Sequence, residues 1–386
     1  MTPCNPLIFR FKDPFNRFVA RSDLFFLAVI TIFFVRCLIS AHDWEMGDLF
    51  AHLWGSRGLL QGQTLYIDTK FEYPPLHAYF QALWLWLLGD NPFAAKVPSL
   101  IGDVGTATLL YLIGARKDEM LGRWLAICYL MFPISIISSN MMGHFDSLAL
   151  ALMLLGILFA FRERWAASAA SIGIGVMYKF LPILAAVPIL FYLYRKRHFR
   201  FATFYLLVVG VICAVILTPF LLDDPVKVLA LIFNTGSKLP DTYSLFYACY
   251  IPDRILPFLV QIGATATIFY IVIRKRIFEL FSFEAITLFV ALFMMLNKNL
   301  YPHYFIWIFP FFAYWFIRHG YSVWLIVLLL FDTVLLCLKW FQPSHFASWT
   351  PWPTIVFQVV NWTAIGLALF LQKRANERMI SVIVFP

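Results

Sequence analysis

The stretch Phe71-Glu72-Tyr73-Pro74-Pro75-Leu76-His77-Ala78-Tyr79-Phe80-Gln81-Ala82-Leu83-Trp84-Leu85-Trp86-Leu87-Leu88-Gly89 decides how this chain is threaded. If the run behind the two prolines crosses a membrane, every later element changes side. If it lies along the surface, the chain keeps its polarity. From His77 to Gly89 the run has 13 residues, and a helix needs roughly 17 to 25 to cross a bilayer. Pro74 and Pro75 lack amide protons and have a fixed φ, so they suit the first turn of a helix and stop the preceding loop from continuing as one. The reading is therefore a loop-to-helix corner that turns the chain onto the outer membrane surface as an amphipathic helix, with Trp84 and Trp86 at the interface. The same reading puts Gln81 within reach of an impermeant thiol reagent once it is replaced by cysteine.

The whole chain calls for a membrane. Of 386 residues, 62% are hydrophobic and 13% are charged, and the mean hydropathy is +0.79. That is more apolar surface than a water-facing globule hides, which indicates a polytopic all-α membrane protein. The net charge of +9 does not point to nucleic acid, because the basic residues come in small clusters between apolar runs, as topology determinants do. The six cysteines stand singly with no metal-type spacing, so neither a disulfide framework nor a zinc site is indicated. The N-terminus, with Arg10, Lys12, Arg17 and Arg21 ahead of the first apolar run, does not read as a cleavable signal.

Apolar runs long enough to span lie near 23–41, 98–115, 122–140, 145–161, 201–222, 255–273, 280–296, 301–317, 321–339 and 353–371. With the basic clusters all on the cytoplasmic side, an even number of crossings separates each consecutive pair. Parity then keeps 77–89 out of the membrane and makes 165–194 a hairpin of two short helices with Lys179 at its outer tip. The expected architecture is one transmembrane domain over 1–386 with about 12 spans and both termini inside. Its outer segments are 42–97, with juxtamembrane helices, and 223–254.

Nearly every polar residue of interest falls on that outer face: Asp43, Glu45, Asp48, His52, Glu72, Tyr73, His144, Asp146, Lys179, Lys238, Asp241, Tyr243, Lys298 and His303. Ionisable groups at the edge of a span are costly unless solvated or paired, so their clustering suggests a water-filled working cavity. Each also has a plain structural reading. Asp48 opens a surface helix, where a carboxylate suits the helix dipole. Asp146 precedes a span it can cap. Lys179 can snorkel, and Lys298 and His303 can anchor a turn at the interface. Together, a carboxylate base and several cations suit group transfer from an anionic lipid carrier. The base takes a proton from an acceptor hydroxyl, and the cations stabilise charge on a departing phosphate.

In order along the chain, four segments resemble the GT-C superfamily of polytopic glycosyltransferases, in particular the family 87 enzymes and the catalytic subunit of GPI mannosyltransferase I. They are Asp48 followed by Gly62 to Tyr66 and Glu72-Tyr73-Pro74-Pro75; Phe132-Pro133 followed by Gly143-His144-Phe145-Asp146-Ser147; Gly173 to Pro182 around Lys179; and Leu296-Asn297-Lys298 with His303 to Trp307. The resemblance implies a hexosyltransferase, with mannose as the sugar, using a polyprenyl-phosphate-linked donor and a lipid-linked or glycan acceptor at the extracytoplasmic face, by inverting displacement. It implies Asp48 as the base, some of Lys179, Lys298 and His303 on the leaving phosphate, His144 and Asp146 lining the sugar or acceptor pocket, and Glu72 and Tyr73 at its rim. The mannosyltransferase subunit has Asp-x-Asp in the first loop where this chain has Met46 and Asp48, so no dedicated metal site and no cofactor beyond the lipid donor is expected. His303 stands where that subunit has Gln. A transporter or flippase of lipid-linked or small-molecule substrates also accommodates the buried charges, although no internal repeat is evident.

Overall fold

The computed structural model describes residues 19–42, 47–233, 240, 244–249, 251, 253, 255–340 and 352–384. They are helical with short connections, and form two compact units, one within Phe9–Ser237 and one within Lys238–Pro386. The first unit runs α1 (Ser22–Ala41), α2 (Gly47–Leu60), α3 (Pro75–Leu88), α4 (Pro92–Ala115), α5 (Glu119–Met131), a π-helical turn (Ile136–Met141), α6 (Asp146–Ala160), α7 (Trp165–Tyr178), α8 (Ile183–Arg195), α9 (Phe199–Asp223) and α10 (Pro225–Ile232). The main helices of the second are α11 (Leu256–Arg274), α12 (Phe283–Met295), α13 (Phe305–Arg318), α14 (Ser322–Trp340) and α15 (Trp352–Val384).

Local chemistry sets the boundaries. Asn91, Asp118 and Ser282 cap α4, α5 and α12 by accepting from the amides of Ala94, Met120 and Ala285, satisfying donors that the first helical turn leaves open. Pro75 opens α3 at its first position, as the paired prolines predict. The expected hairpin over 165–194 is α7 and α8, separated at Lys179 to Pro182. The expected span 122–140 is broken: α5 stops before Pro133, and the chain bends by 50° into the π-helical turn. A proline there removes an amide donor and crowds the preceding carbonyl.

Among the described residues, five helices, α1, α4, α9, α11 and residues 354–377 of α15, are each long and apolar enough to cross a membrane, and the bent pair makes a sixth. The remaining expected spans, α6, α7, α8, α12, α13 and the segment Ser322–Leu335 of α14, are apolar helices of the 10 to 17 residue class. At 1.5 Å per residue these are shorter than the roughly 30 Å hydrocarbon layer, so the positions of twelve apolar helices agree with the sequence while length alone qualifies six. Phe26, Ile30 and Phe34 of α1 and Leu207, Val211 and Val215 of α9 are exposed, the inside-out pattern of a lipid-facing surface.

Tight helix crossings in the first unit rest on two glycine contacts. A Cβ on Gly102 of α4 would lie 2.2 Å from the Leu148 amide nitrogen of α6, and one on Gly114 would lie 2.7 Å from Gly122 Cα of α5. Small residues let backbones approach this closely. Around the neighbouring residue Asp103 of α4 lies a buried polar hub. Arg36 of α1 is fully buried and donates to Asp103, Asn140 and Ser135 and to the Leu130 and Tyr129 carbonyls. Asp103 also accepts from the Tyr129 and Ser139 hydroxyls. The hub joins α1, α4, the end of α5 and the π-helical turn. Lys96 begins this theme: the span expected from residue 98 starts at Pro92, which places Lys96 inside α4, fully buried.

Candidate active site

The two prolines aim α3 so that His77 points inward. Its ring is completely buried, stacked on Phe145 at 3.6 Å between centroids, with Tyr178 edge-on at 5.4 Å. His52, one turn into α2, is also buried and lies edge-on to Tyr73 and Phe145. Its Nε2 comes within 3.4 Å of His144 Nδ1. The turn carrying His144 is shaped by Gly143, whose φ of +69° is the left-handed region that glycine enters freely. A side chain there would also strike Leu49 at 2.6 Å. The turn is latched to α4: Ser99 donates to the His144 carbonyl, Ser147 donates to the Ser99 carbonyl, and Thr106 donates to the Ser147 carbonyl.

Asp146 follows this turn as the first residue of α6, with Phe145 rather than Asp146 at the N-cap position. Its carboxylate accepts from Lys179 Nζ at 2.7 Å. The capping reading gives way to an ion pair. Lys179 sits in the break between α7 and α8, only 7% exposed, with its ammonium 4.7 Å from the centre of the Phe145 ring. It is not a snorkelling residue: carboxylate and aromatic face stabilise its charge in place. Burial pulls the Lys179 amine below its ordinary value, and Asp146 opposes that shift through charge and hydrogen bond. Burial also holds the His52 imidazole well below its usual value, reinforced by His144, His77 and Lys179. For His77, burial, then Lys179, then His144 act in the same direction. The His52 and His77 imidazoles are thereby held neutral.

Of the residues expected at the site, the first unit brings His52, Tyr73, His144, Asp146 and Lys179 together. Tyr73 is tied back by the Tyr66 hydroxyl, which donates to the Tyr73 carbonyl at 2.6 Å. Glu72 is half-buried at the corner ahead of α3. Asp48 is in the first turn of α2, and its side chain lies outside the described residues, as do Asp43, Glu45, Lys238, Asp241 and Tyr243. In the second unit, Lys298 and His303 are both buried in the connection between α12 and α13. His303 stacks on Tyr301 and meets Tyr304 edge-on at 4.5 Å.

Sequence reasoning missed two residues. His77 reads as part of a surface helix until its burial is seen, although an imidazole in a stretch of otherwise mostly apolar side chains was a signal. Lys96 falls within the expected outer segment 42–97; its Nζ donates to the His42 carbonyl at 2.9 Å, tying the end of α1 to α4 beside Gly143. Gln81 corrects the labelling expectation. It is buried, accepting from Ser56 and donating to the Ala95 carbonyl, and the exposed residues of α3 are Tyr79, Leu83 and Trp86 to Leu88.

The fold is thus that of a polytopic, integral membrane protein of the GT-C type. Residues 72–222 match the family described as dolichyl-phosphate-mannose-protein mannosyltransferase. The GPI mannosyltransferase 1 of Trypanosoma brucei brucei (strain 927/4 GUTat10.1) is 26% identical over 136 residues, 35% of this chain and 31% of that relative. The chain therefore aligns with about a third of that enzyme's length. The crystal structure of ArnT from Cupriavidus metallidurans bound to undecaprenyl phosphate superposes with a TM-score of 0.56 at 17% identity, covering 91% of this chain and 72% of that one. The apo form gives 0.55 at 15%, covering 91% and 76%. The chain thus shares the GT-C fold, and the family match covers residues 72–222.

Proposed function

We propose that this protein is a glycosyltransferase that moves a hexose, mannose, from a polyprenyl-phosphate carrier to a lipid-linked or glycan acceptor at the extracytoplasmic membrane face. One observation carries the reading. The helix bearing Asp48, the Tyr73-Pro74-Pro75 corner, the Gly143 to Asp146 turn and the Lys179 break, far apart in sequence, meet in one buried cluster. The cluster lies largely within the stretch that matches a mannosyltransferase family, and a neighbour of the same fold is a protein crystallised with a polyprenyl phosphate.

The chemistry assigned to these residues is an inverting displacement. The Asp48 carboxylate takes the proton of the acceptor hydroxyl. The acceptor oxygen bonds to the anomeric carbon while the bond from that carbon to the carrier phosphate breaks, and the polyprenyl phosphate departs with both electrons. Negative charge grows on that phosphate, and cations drawn from Lys179, Lys298 and His303 offset it. Asp146 keeps Lys179 protonated and oriented within a buried site, while His144 lines the sugar or acceptor pocket and Tyr73 and Glu72 form its rim. In this reading residues 1–386 work as a single GT-C domain, with the donor and acceptor lipids as its partners.

The test is transfer in proteoliposomes holding the full chain, supplied with a panel of radiolabelled polyprenyl-phosphate sugars and a glycolipid extract of the source membranes. Mannose is expected in the product, and Asp48→Asn is expected to abolish transfer with unchanged folding. Full activity in Asp48→Asn removes the base assignment. Passage of intact donor across the bilayer without bond cleavage supports the transporter reading instead.

A further inference from the structure

A second concave site lies on the first unit, outside the buried cluster. It is a cleft of about 460 Å³ between α2 and the segment that returns from it. Trp54, Arg57 and Gln61 line one side at positions i, i+3 and i+7, which one helical face presents together. Gln63, Asp68 and Lys70 line the other.

The cleft is built, not incidental. Gly62 turns the chain with φ +77°. The return is then fixed by Asp68, which accepts from the Thr64 amide at 2.7 Å, and by Thr69, whose hydroxyl accepts from the Tyr66 amide. At the floor, a Cβ on Gly58 would come within 2.5 Å of the Thr69 side chain and 2.8 Å of the Gln63 side chain, so glycine lets the return segment close against the helix without displacing them. Arg57 is held from behind by a two-pronged ion pair with Asp90. Above this frame the Trp54 indole is 61% exposed.

The walls select the ligand class. An acyl chain finds a single apolar side chain, Trp54, among amides, a carboxylate and an amine. A free anion meets Asp68, and the guanidinium of Arg57 is already neutralised by Asp90. A metal cation meets Lys70 and Arg57. A sugar ring satisfies each wall: its C–H face lies on the indole, and its hydroxyls both donate and accept among Gln61, Gln63, Asp68 and Lys70. The volume is in the range of small-ligand sites. We propose that this cleft binds a saccharide portion of the acceptor, held by Trp54 on the helix that carries Asp48 and by Gln61 in the turn just past its end. The proposal rests on the glycosyltransferase reading above.

The experiment uses the full chain in proteoliposomes, the donor found by the panel above, and the source-membrane glycolipid extract varied as acceptor. Trp54→Ala and Gln61→Ala are expected to raise the acceptor KM about tenfold or more, as loss of an aromatic anchor does, with kcat and donor KM within about twofold of the parent. Trp54→Phe restores most of the affinity. Separately, the water-soluble saccharide released from that extract is expected to change tryptophan emission saturably in the parent protein and not in Trp54→Phe. An unchanged acceptor KM in both alanine variants overturns the proposal, including the outcome in which Trp54→Ala lowers only reconstitution yield, the mark of an interfacial anchor. If the parent protein turns over no donor, the glycosyltransferase reading fails. The emission arm still decides the cleft by itself, because a saccharide that produces no saturable change overturns the site.

Discussion

Arg36 and Asp103 offer an asymmetric test of how charge is kept inside this bundle. The pair is 2.6 Å apart, with side chains 1% and 0% exposed. Removing one partner of a buried pair costs about 3 to 5 kcal/mol, because the other charge is left uncompensated. The two removals differ here. In Arg36→Met, Asp103 keeps the Tyr129 and Ser139 hydroxyls as donors, and a carboxyl without its counter-charge can take up a proton and donate in turn. Its cost should fall to about 1 to 3 kcal/mol, that of a lost hydrogen-bond partner. In Asp103→Leu, Arg36 cannot shed its proton. It keeps neutral acceptors only, the Ser135 hydroxyl, the Asn140 carbonyl oxygen and two backbone carbonyls, so the full 3 to 5 kcal/mol is expected. Arg36→Met/Asp103→Leu removes both charges and should be more stable than Asp103→Leu alone by about 1 kcal/mol or more. The assay is reversible unfolding of the purified protein in mixed micelles, followed by tryptophan emission, with the four proteins forming a double-mutant cycle. If Arg36→Met proves as costly as Asp103→Leu, or if the two single effects simply add, the reasoning is refuted.

Two predictions concern the candidate active site. Lys179→Met should lower kcat for transfer by about 10² to 10³ fold if its cation stabilises the leaving phosphate, and adding Asp146→Asn should restore folding without restoring rate. Recovery of transfer in the double variant would assign Lys179 a structural role alone. The second concerns pH. Since His52 and His77 have depressed values in the folded protein, the unfolded chain binds protons first as pH falls below about 6.5. Stability contributed by their burial is therefore present above that pH and lost below it, by up to about 1.4 kcal/mol per pH unit for each group. His77→Phe keeps a ring in the stack between Phe71 and Phe145 and should flatten this slope by roughly half. An unfolding profile equally steep in that variant between pH 6.5 and 5 would remove His77 from the account.

Some of this fold could be read directly from the chain. The hairpin around Lys179, the proline-initiated start of α3 and most helix positions follow from local signals: run length, imino rings, cap residues and hydropathy. The broken helix at Phe132-Pro133 carried a local signal too, and a hydropathy window averaged over it. Lys96 was lost for a similar reason, since an apolar window drew the start of α4 six residues late. The candidate site was legible as a set of outer-face residues but not as a geometry. Nothing in Gly143-His144-Phe145-Asp146 distinguishes a helix cap from a buried ion-pair partner, because the deciding atom belongs to Lys179, 33 positions on.

By itself the sequence determined that the chain is a polytopic helical membrane protein, where its helices lie, and that the run behind Pro74-Pro75 is too short to span. Those properties are sums over neighbouring residues, which hydration and backbone geometry evaluate locally. Only the tertiary structure decided which charges are compensated: Arg36 by Asp103, 67 positions away, and Lys179 by Asp146. It alone also decided that His77 and Gln81 face inward and that Trp54 overlooks a polar cleft. In a low-dielectric interior the cost of each polar group depends on the one group that meets it, and that meeting is a property of packed helices rather than of any window along the chain.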